Sequence, residues 1–416
     1  RHAGGTVARG IVDAYPRPQQ VPTVRLPAGE VARVLGADIP EAEVRRILLS
    51  LGCTVTAADG GALAVVVPSS RLDLAIPADL VEEVARITGY HRIPSAPMSG
   101  EFPPPRPDAA MDAEDRARDA LVACGLTEVI TYSLTDPSWC VRLGLEPDAA
   151  GFVCLANPMT ADRTHLRRHI LPGLLETLRH NLRYVDRVAV FELARVYLPG
   201  GAQLPDEPRR LALLLSGPSS PPWWGNPTPA PYDFFHAKGV LEALAARLNL
   251  GALAFAPFDG APYQRGRAAQ VSLGGRPVGT FGELAPALRG VFDLPERRVV
   301  LGEFDAATLL AGAGLGAYRR LSRFPALTQD LAIVCPEEMA AARIETVVRE
   351  AAGELLVDLR LFDVYRGEPL PKGSRSLAYT VTFQSTERTL GEEDVLPLRG
   401  RIVAALKDTL GVGLRA

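Results

Sequence analysis

Two segments, DLAIVC at residues 330–335 and IETVVREAAGEL at residues 344–355, indicate how the last hundred residues fold. The first segment predicts a β-strand. The second predicts a helix because its apolar side chains recur at helical spacing on one face, namely Ile344, Val347, Val348, Ala351 and Leu355. A helix with one apolar face must bury it against a sheet or another helix.

The residues that follow extend this unit. Residues 357–364 and 377–383 predict two more strands, and a final helix, with Pro397 in or near its first turns, carries a second apolar stripe. That stripe consists of Val395, Leu398, Ile402, Leu406 and Leu410. The order of elements fits a ferredoxin-like split βαβ domain over residues 319–416. A glycine-rich run at 311–318 predicts a linker ahead of it.

A larger domain is predicted at residues 96–310. Its helices and strands lack a regular βαβ rhythm, which favours an α+β domain built on an antiparallel sheet. The predicted helices are a first one ending at Cys124 and two at 171–182 and 236–248, and the predicted strands are 129–134, 188–197, 211–215 and several short ones later. Residues 216–231, with six prolines and Trp223–Trp224, predict a surface loop.

The amino-terminal residues 21–95 predict a small α/β domain. Apolar spacing indicates a helix within residues 39–52, and Asp59-Gly60-Gly61 between two apolar runs indicates a hairpin. Residues 1–20 have no helical period and are assigned to the tail of a preceding domain. The proline-rich residues 95–107 are interpreted as a linker.

Composition excludes several classes of protein. A chain of 416 residues is too long for one hydrophobic core, and no apolar run approaches the ~20 residues of a membrane helix. The five cysteines are odd in number with no CxxC pair, which argues against a disulfide framework or a zinc site. No basic-then-apolar leader follows Arg1, so we expect an internal start in a longer chain and a cytoplasmic location. At a net charge of −3, any RNA contact requires local basic patches.

Four carboxylates lie close together in the sequence, at Asp73, Asp79, Glu82 and Glu83. If Asp79 opens a helix, Glu82 and Glu83 lie in its first turn, where Asp73 can approach them from the preceding strand. A hard cation such as Mg²⁺ prefers such oxygen ligands. The alternative is a capping box with Asp79 as N-cap and Glu82 at N3. Asp73 distinguishes the two hypotheses, because a cap does not require it.

Two other motifs do not indicate catalysis. Residues 312–319 resemble the glycine-rich third motif of class II synthetases, but Tyr318 stands where an acid is expected, so a linker is the better interpretation. His165 and His169 lack the intervening acid of a HExxH zinc site. They are interpreted as anion-facing or solvated basic surface, with the neighbours Arg163, Arg167 and Arg168. No catalytic residue is assigned.

A basic loop in the last domain is a candidate RNA-binding site. Arg366, Lys372 and Arg375 lie between two predicted strands next to Tyr365, and Arg388 follows the second strand. Arginine and aromatic side chains together suit stacking on RNA bases and contact with phosphates. The alternative is an ordinary solvated loop.

Three ordered stretches resemble one family, the bacterial phenylalanyl-tRNA synthetase beta subunit. RLDLAIPADLVEEVARITGY (71–90) resembles its small metal-linked helical or winged domain. The runs NPM (157–159), LPGLL (171–175) and FE (191–192) resemble its degenerate, non-catalytic class II synthetase core. The runs FP (324–325), DLA (330–332), FDVY (362–365), SLAY (376–379) and ERTL (387–390) resemble its ferredoxin-fold anticodon-binding domain.

The resemblance implies an α+β multidomain subunit of the ligase that joins phenylalanine to its tRNA with ATP. It implies two alpha and two beta chains, with ATP bound by alpha and no catalysis by beta alone. It places Mg²⁺ at a site shared with alpha, with Asp73, Asp79, Glu82 and Glu83 as the beta ligands. The amino-terminal RNA-binding module and most of the editing domain are expected to be missing.

The chain departs from the family pattern in two places. Thr328 and Gln329 stand where the family often has a basic pair, and Gly391 stands where a stronger helix cap is expected. Two other functions stay open. A non-catalytic RNA-binding paralogue would not pair with an alpha chain, and a Mg²⁺-dependent hydrolase would need an open coordination position at the carboxylates.

Overall fold

A computed structural model describes the chain apart from residues 1, 3, 19, 101–103, 105, 201–203, 315, 317, 319 and 416. The predicted tail 1–20 and linker 311–318 therefore lie partly outside the described residues. The chain forms two compact units, Arg1–Arg106 and Pro107–Ala416. The division falls within the proline-rich residues 95–107.

The first unit combines three helices with a three-stranded antiparallel sheet in the order β1-β3-β2. Its elements are β1 (Thr23–Leu26), α1 (Glu30–Leu35), α2 (Glu41–Ser50), β2 (Thr54–Ala57), β3 (Leu63–Val66) and α3 (Pro77–Thr88). The predicted hairpin is confirmed, and its turn contains Gly60 at φ 73°, a conformation that glycine adopts at little cost. Ile47, Leu48, Val65 and Val84 are fully buried between the layers.

The second unit begins with a seven-stranded sheet in the order β4-β7-β8-β12-β11-β10-β9. Its strands are β4 (Thr127–Glu128), β7 (Val188–Arg195), β8 (Arg209–Ser216), β9 (Leu253–Pro257), β10 (Tyr263–Leu273), β11 (Arg276–Leu284) and β12 (Val299–Asp305). A separate antiparallel pair is formed by β5 (Leu134–Thr135) and β6 (His165–Leu166). The helices are α4 (Ala109–Ala123), α5 (Ser138–Arg142), α6 (Leu171–Asn181), α7 (Phe234–Leu248) and α8 (Ala306–Leu310). Neighbouring strands are antiparallel except β4 and β7, which confirms the predicted α+β class.

Two details of this domain differ from the prediction. The prediction of a strand at 129–134 is wrong, because β4 ends at Glu128 and the described residues 129–133 form no strand. Strands β10 and β11 are long rather than short. The predicted loop at 216–231 exposes Trp224 at 92% and Trp223 at 54%, whereas Trp139 stacks on Phe292 with ring centroids 4.7 Å apart.

The carboxyl-terminal part has the predicted ferredoxin-like fold. Its elements are β13 (Leu327–Pro336), α9 (Ala341–Ala352), β14 (Leu356–Tyr365), β15 (Ser374–Phe383), α10 (Glu392–Leu410) and β16 (Gly413–Leu414). The sheet order β14-β15-β13-β16 is antiparallel throughout, as a split βαβ requires. The predicted stripes are buried at Ile344, Val348, Val395 and Ile402. Pro397 lies inside α10, which continues through it.

Two expectations from composition can be compared with the structure. Within the described residues, no helix is both long and apolar enough to cross a membrane. The five cysteines are free, and Cys53, Cys140 and Cys335 are buried, whereas Cys154 is exposed.

Candidate functional site

Helix α3 begins three residues earlier than the capping-box hypothesis requires. Its N-cap is Ile76 and its first residue is Pro77, a position that proline favours because no N–H is needed there. Asp79 is therefore at N3, and its Oδ2 accepts hydrogen bonds from the amides of Ala75 and Ile76, both at 2.8 Å. The assignment of Asp79 as N-cap and Glu82 as N3 is wrong, although Asp79 does cap the helix.

Arg71 bridges two of the four predicted carboxylates. Its NH2 lies 2.6 Å from Asp73 Oδ2, and its NH1 lies 2.9 Å from Glu83 Oε2. Arg86, one turn along α3, donates to the same Glu83 oxygen at 2.7 Å. Hydrogen bonds from Arg71 lower the pKa of Asp73 to about 2, and those from Arg71 and then Arg86 lower the pKa of Glu83 to about 2. Both carboxylates are therefore ionised over the physiological range.

The four predicted ligands do not surround one point. Asp79 is directed at the backbone, Glu82 is exposed, and Asp73 and Glu83 both face a guanidinium. In the part of the chain that the structure describes, no three His, Cys, Asp or Glu side chains are placed to hold a metal ion. In this arrangement the residues do not fit a Mg²⁺ ion.

The prediction that residues 163–169 form a solvated basic surface is wrong for Arg167, which lies in the middle of this run. Arg167 is 5% exposed, and its NH1 donates to Glu192 Oε1 at 2.8 Å, where Glu192 is 2% exposed. Thr131 donates its hydroxyl to Glu192 Oε2 at 2.7 Å and accepts from Arg167 at 2.8 Å. The three side chains form one buried network that ties residues 129–133 to β7.

His169 belongs to a second internal cluster. Its Nε2 lies 3.0 Å from Glu146 Oε1, and its Nδ1 lies 3.3 Å from Glu303 Oε1. Burial lowers the pKa of His169, but the two carboxylates outweigh burial and raise the pKa overall. Arg168 also pairs with Glu146, and Arg163 pairs with Glu176. These charged groups are engaged with one another rather than with solvent anions.

The basic loop places three of its predicted residues at one end of the carboxyl-terminal sheet. Arg366 pairs with Glu337 at 2.7 Å, Arg375 donates to the carbonyl of Met339 at 2.7 Å, and Lys372 is exposed. All three lie at or beside the β14–β15 connection.

Arg388 lies at the opposite end of the sheet. It lies in the segment after Phe383, the last residue of the ten-residue strand β15. It forms a bidentate ion pair with Asp394 at 2.6 and 2.7 Å. A strand of that length spans about 30 Å. The structure therefore separates Arg388 from the other three residues.

Several partners in these clusters were not identified from the sequence. Arg86 lies three residues after Glu83, so helical spacing alone could have paired them. Thr131, Glu146, Glu192 and Glu303 lie 22 to 134 residues from the basic residues they contact, and no local signal marks them.

Three family models match the chain in order. Residues 24–90 match the tRNA synthetase B5 domain, residues 93–306 match the phenylalanyl tRNA synthetase beta chain CLM domain, and residues 322–415 match the ferredoxin-fold anticodon binding domain. The second match covers just over half of the chain.

Curated relatives agree with these matches. The phenylalanine–tRNA ligase beta subunit of Symbiobacterium thermophilum is 42% identical over 373 residues, which is 88% of this chain and 41% of that protein. The phenylalanine–tRNA ligase beta subunit of Moorella thermoacetica is 38% identical over 418 residues, which is 99% of this chain and 51% of that protein. The chain thus spans about half the length of the relatives it matches.

Proposed function

Because this chain belongs to the phenylalanyl-tRNA synthetase beta chain family, we propose that it supports the ATP-dependent attachment of phenylalanine to tRNA as the partner of a catalytic alpha chain. The observation that carries the proposal is the ordered match of three family models along the chain. A heterotetramer of two alpha and two beta chains and a cytoplasmic location are further parts of this proposal.

In this proposal the chain does not form the aminoacyl adenylate by itself. The buried pair Arg167–Glu192 and the partly buried pair His169–Glu303 support this, since internal ion pairs occupy charged groups that would otherwise be available to a phosphate. Phenylalanine-dependent pyrophosphate exchange should be absent for the purified chain and appear when an alpha chain is added. Exchange by the chain alone would contradict the proposal.

Binding of tRNA is assigned to the end of the carboxyl-terminal sheet that carries Arg366, Lys372 and Arg375. Replacing all three with glutamine should weaken tRNA binding and reduce the slope of log K against log salt by about 0.7 to 0.9 for each phosphate that the variant no longer neutralises. Arg388→Gln is the matched control at the other end of the sheet, and its slope should stay near that of the wild type. If the triple variant keeps the wild-type slope, the loop is ordinary solvated surface.

Mg²⁺ shared with the alpha chain stays a prediction for the assembled complex. Its ligands in this chain would be Asp73, Asp79, Glu82 and Glu83, and they would have to rearrange around the ion. The test is thermal melting of the alpha–beta complex with and without Mg²⁺ for the wild type, Asp73→Asn and Glu83→Gln. A stabilisation by Mg²⁺ that both variants lose would support the shared site, because an ion bound to the native state raises its stability. Equal responses would exclude it.

A further inference from the structure

We propose that Arg71 is the built-in counter-ion of the carboxylates at the start of α3, so that this chain on its own orders that region without a divalent cation. The proposal does not depend on the function proposed above. It starts from the disagreement between the four acids expected to bind Mg²⁺ and the positions that those acids adopt.

The guanidinium of Arg71 lies where a bridging cation would be needed. It contacts Asp73 through Nε at 2.9 Å and NH2 at 2.6 Å, and it contacts Glu83 through NH1 at 2.9 Å. One planar group thus joins the segment before α3 to the helix itself. The fork of arginine donors suits two carboxylates, because it offers several N–H groups in a fixed geometry.

Charge balance supports the same conclusion. Asp73 and Glu83 carry two negative charges, and Arg71 and Arg86 carry two positive charges, so the cluster is already neutral. A divalent ion between the carboxylates would face both guanidinium groups at short range. Glu83 is only 6% exposed, which limits the water available to screen that repulsion.

The other two acids do not complete a metal site. Asp79 uses one carboxylate oxygen to accept the amides of Ala75 and Ile76, a role that a neighbouring ion would weaken. Glu82 lies on the exposed side of α3. Each acid thus has a local explanation that needs no ion.

The experiment is hydrogen exchange of the α3 backbone amides in the full chain, with Mg²⁺ and with EDTA. The wild type should show the same protection in both. The α3 amides of Arg71→Met should exchange about tenfold faster or more, because buried Glu83 loses one of its two arginine partners and keeps Arg86 alone. Arg33→Met is the matched control, since Arg33 forms an exposed ion pair with Glu30 in the same unit. In Arg33→Met, the exchange rate of the α3 amides should differ from that of the wild type by less than about threefold.

Two outcomes would overturn the proposal. The first is protection of α3 in the wild type that rises with Mg²⁺ and falls with EDTA, and that Asp73→Asn abolishes. The second is an Arg71→Met variant that exchanges no faster than the control. If Arg71→Met fails to fold, titration of the wild-type chain with Mn²⁺, followed by electron paramagnetic resonance, decides the matter, since saturable binding would contradict it. The tRNA-binding and pyrophosphate-exchange experiments do not use this cluster, so the proposed ligase function and this proposal fail separately.

Discussion

Replacing Arg167 with methionine should destabilise the seven-stranded sheet more than any change at an exposed ion pair. The substitution keeps most of the side-chain volume but leaves the carboxylate of Glu192, 2% exposed, with only the hydrogen bonds from Thr131 among the residues that the structure describes. Leaving one member of a buried pair uncompensated costs about 3 to 5 kcal/mol. A tenfold change in an equilibrium corresponds to about 1.4 kcal/mol, so exchange of β7 amides should accelerate by about two to three and a half orders of magnitude.

The assay is hydrogen exchange followed by mass spectrometry on peptides from β7 and β8. Arg195→Met is the matched control on β7, the strand that carries Glu192, because Arg195 forms an exposed pair with Glu207. Its effect on exchange should stay below about fivefold. The double variant Arg167→Met with Glu192→Leu should recover most of the protection, because an apolar pair can replace a buried ion pair at little cost. If the loss of stability in the double variant equals the sum of the losses in the two single variants, the ion pair is not the source of the effect.

Three further predictions concern other described contacts. The pKa of His169 is raised above 6.5, so its protonated form stabilises the fold fully below pH 6.5, and this contribution is lost as the pH rises through the folded pKa. His169→Gln should therefore flatten the decline of Tm over that pH range. A pH profile of Tm that is unchanged in the variant would contradict this prediction. Gly173→Ala would place its Cβ 2.6 Å from Thr131 Oγ1, so Tm should fall despite a gain of about 1 kcal/mol in helix propensity, and a raised Tm would refute the clash. In urea unfolding of this chain without alpha, Asp79→Ala should cost about 1 kcal/mol, equally with Mg²⁺ and with EDTA, since it removes a helix cap.

Helices were predictable where an apolar stripe recurs within a few turns. Residues 171–182 and 236–248 correspond to α6 and α7, and the two stripes of the ferredoxin-like domain are buried as expected. The reason is that helical periodicity is local, so a short window of sequence contains the whole signal.

The strand expected at 129–134 failed because its pattern is ambiguous. Ile130 and Tyr132 alternate with polar residues as in a half-buried strand, yet they are 94% and 76% exposed. The segment is held through Thr131, whose amide and hydroxyl both donate to Glu192 on β7. Alternation shows which side chains share a face, but it does not show whether a neighbouring strand is available to pair.

In the candidate sites, too, contacts between residues close in the sequence were predictable, and contacts between distant residues were not. The contacts of Arg71 with Asp73, and of Arg86 with Glu83, follow from separations of two and three residues. The pairing of His169 with Glu303 requires the sheet to bring α6 next to β12, and nothing near either residue indicates it. The start of α3 differs from the prediction because Pro77, whose fixed φ suits the first helical position, begins the helix ahead of the acids.

The placement of the tryptophans determines what fluorescence can report about this chain. All three indoles lie in the second unit, and residues 1–106 contain none. Trp139 is partly buried and stacked on Phe292, whereas Trp223 and Trp224 lie in the exposed loop and are hydrated in the folded state already. A red shift on denaturation would therefore come mainly from Trp139. Unfolding of the first unit, including the Arg71 cluster, would be optically silent at the indole wavelengths.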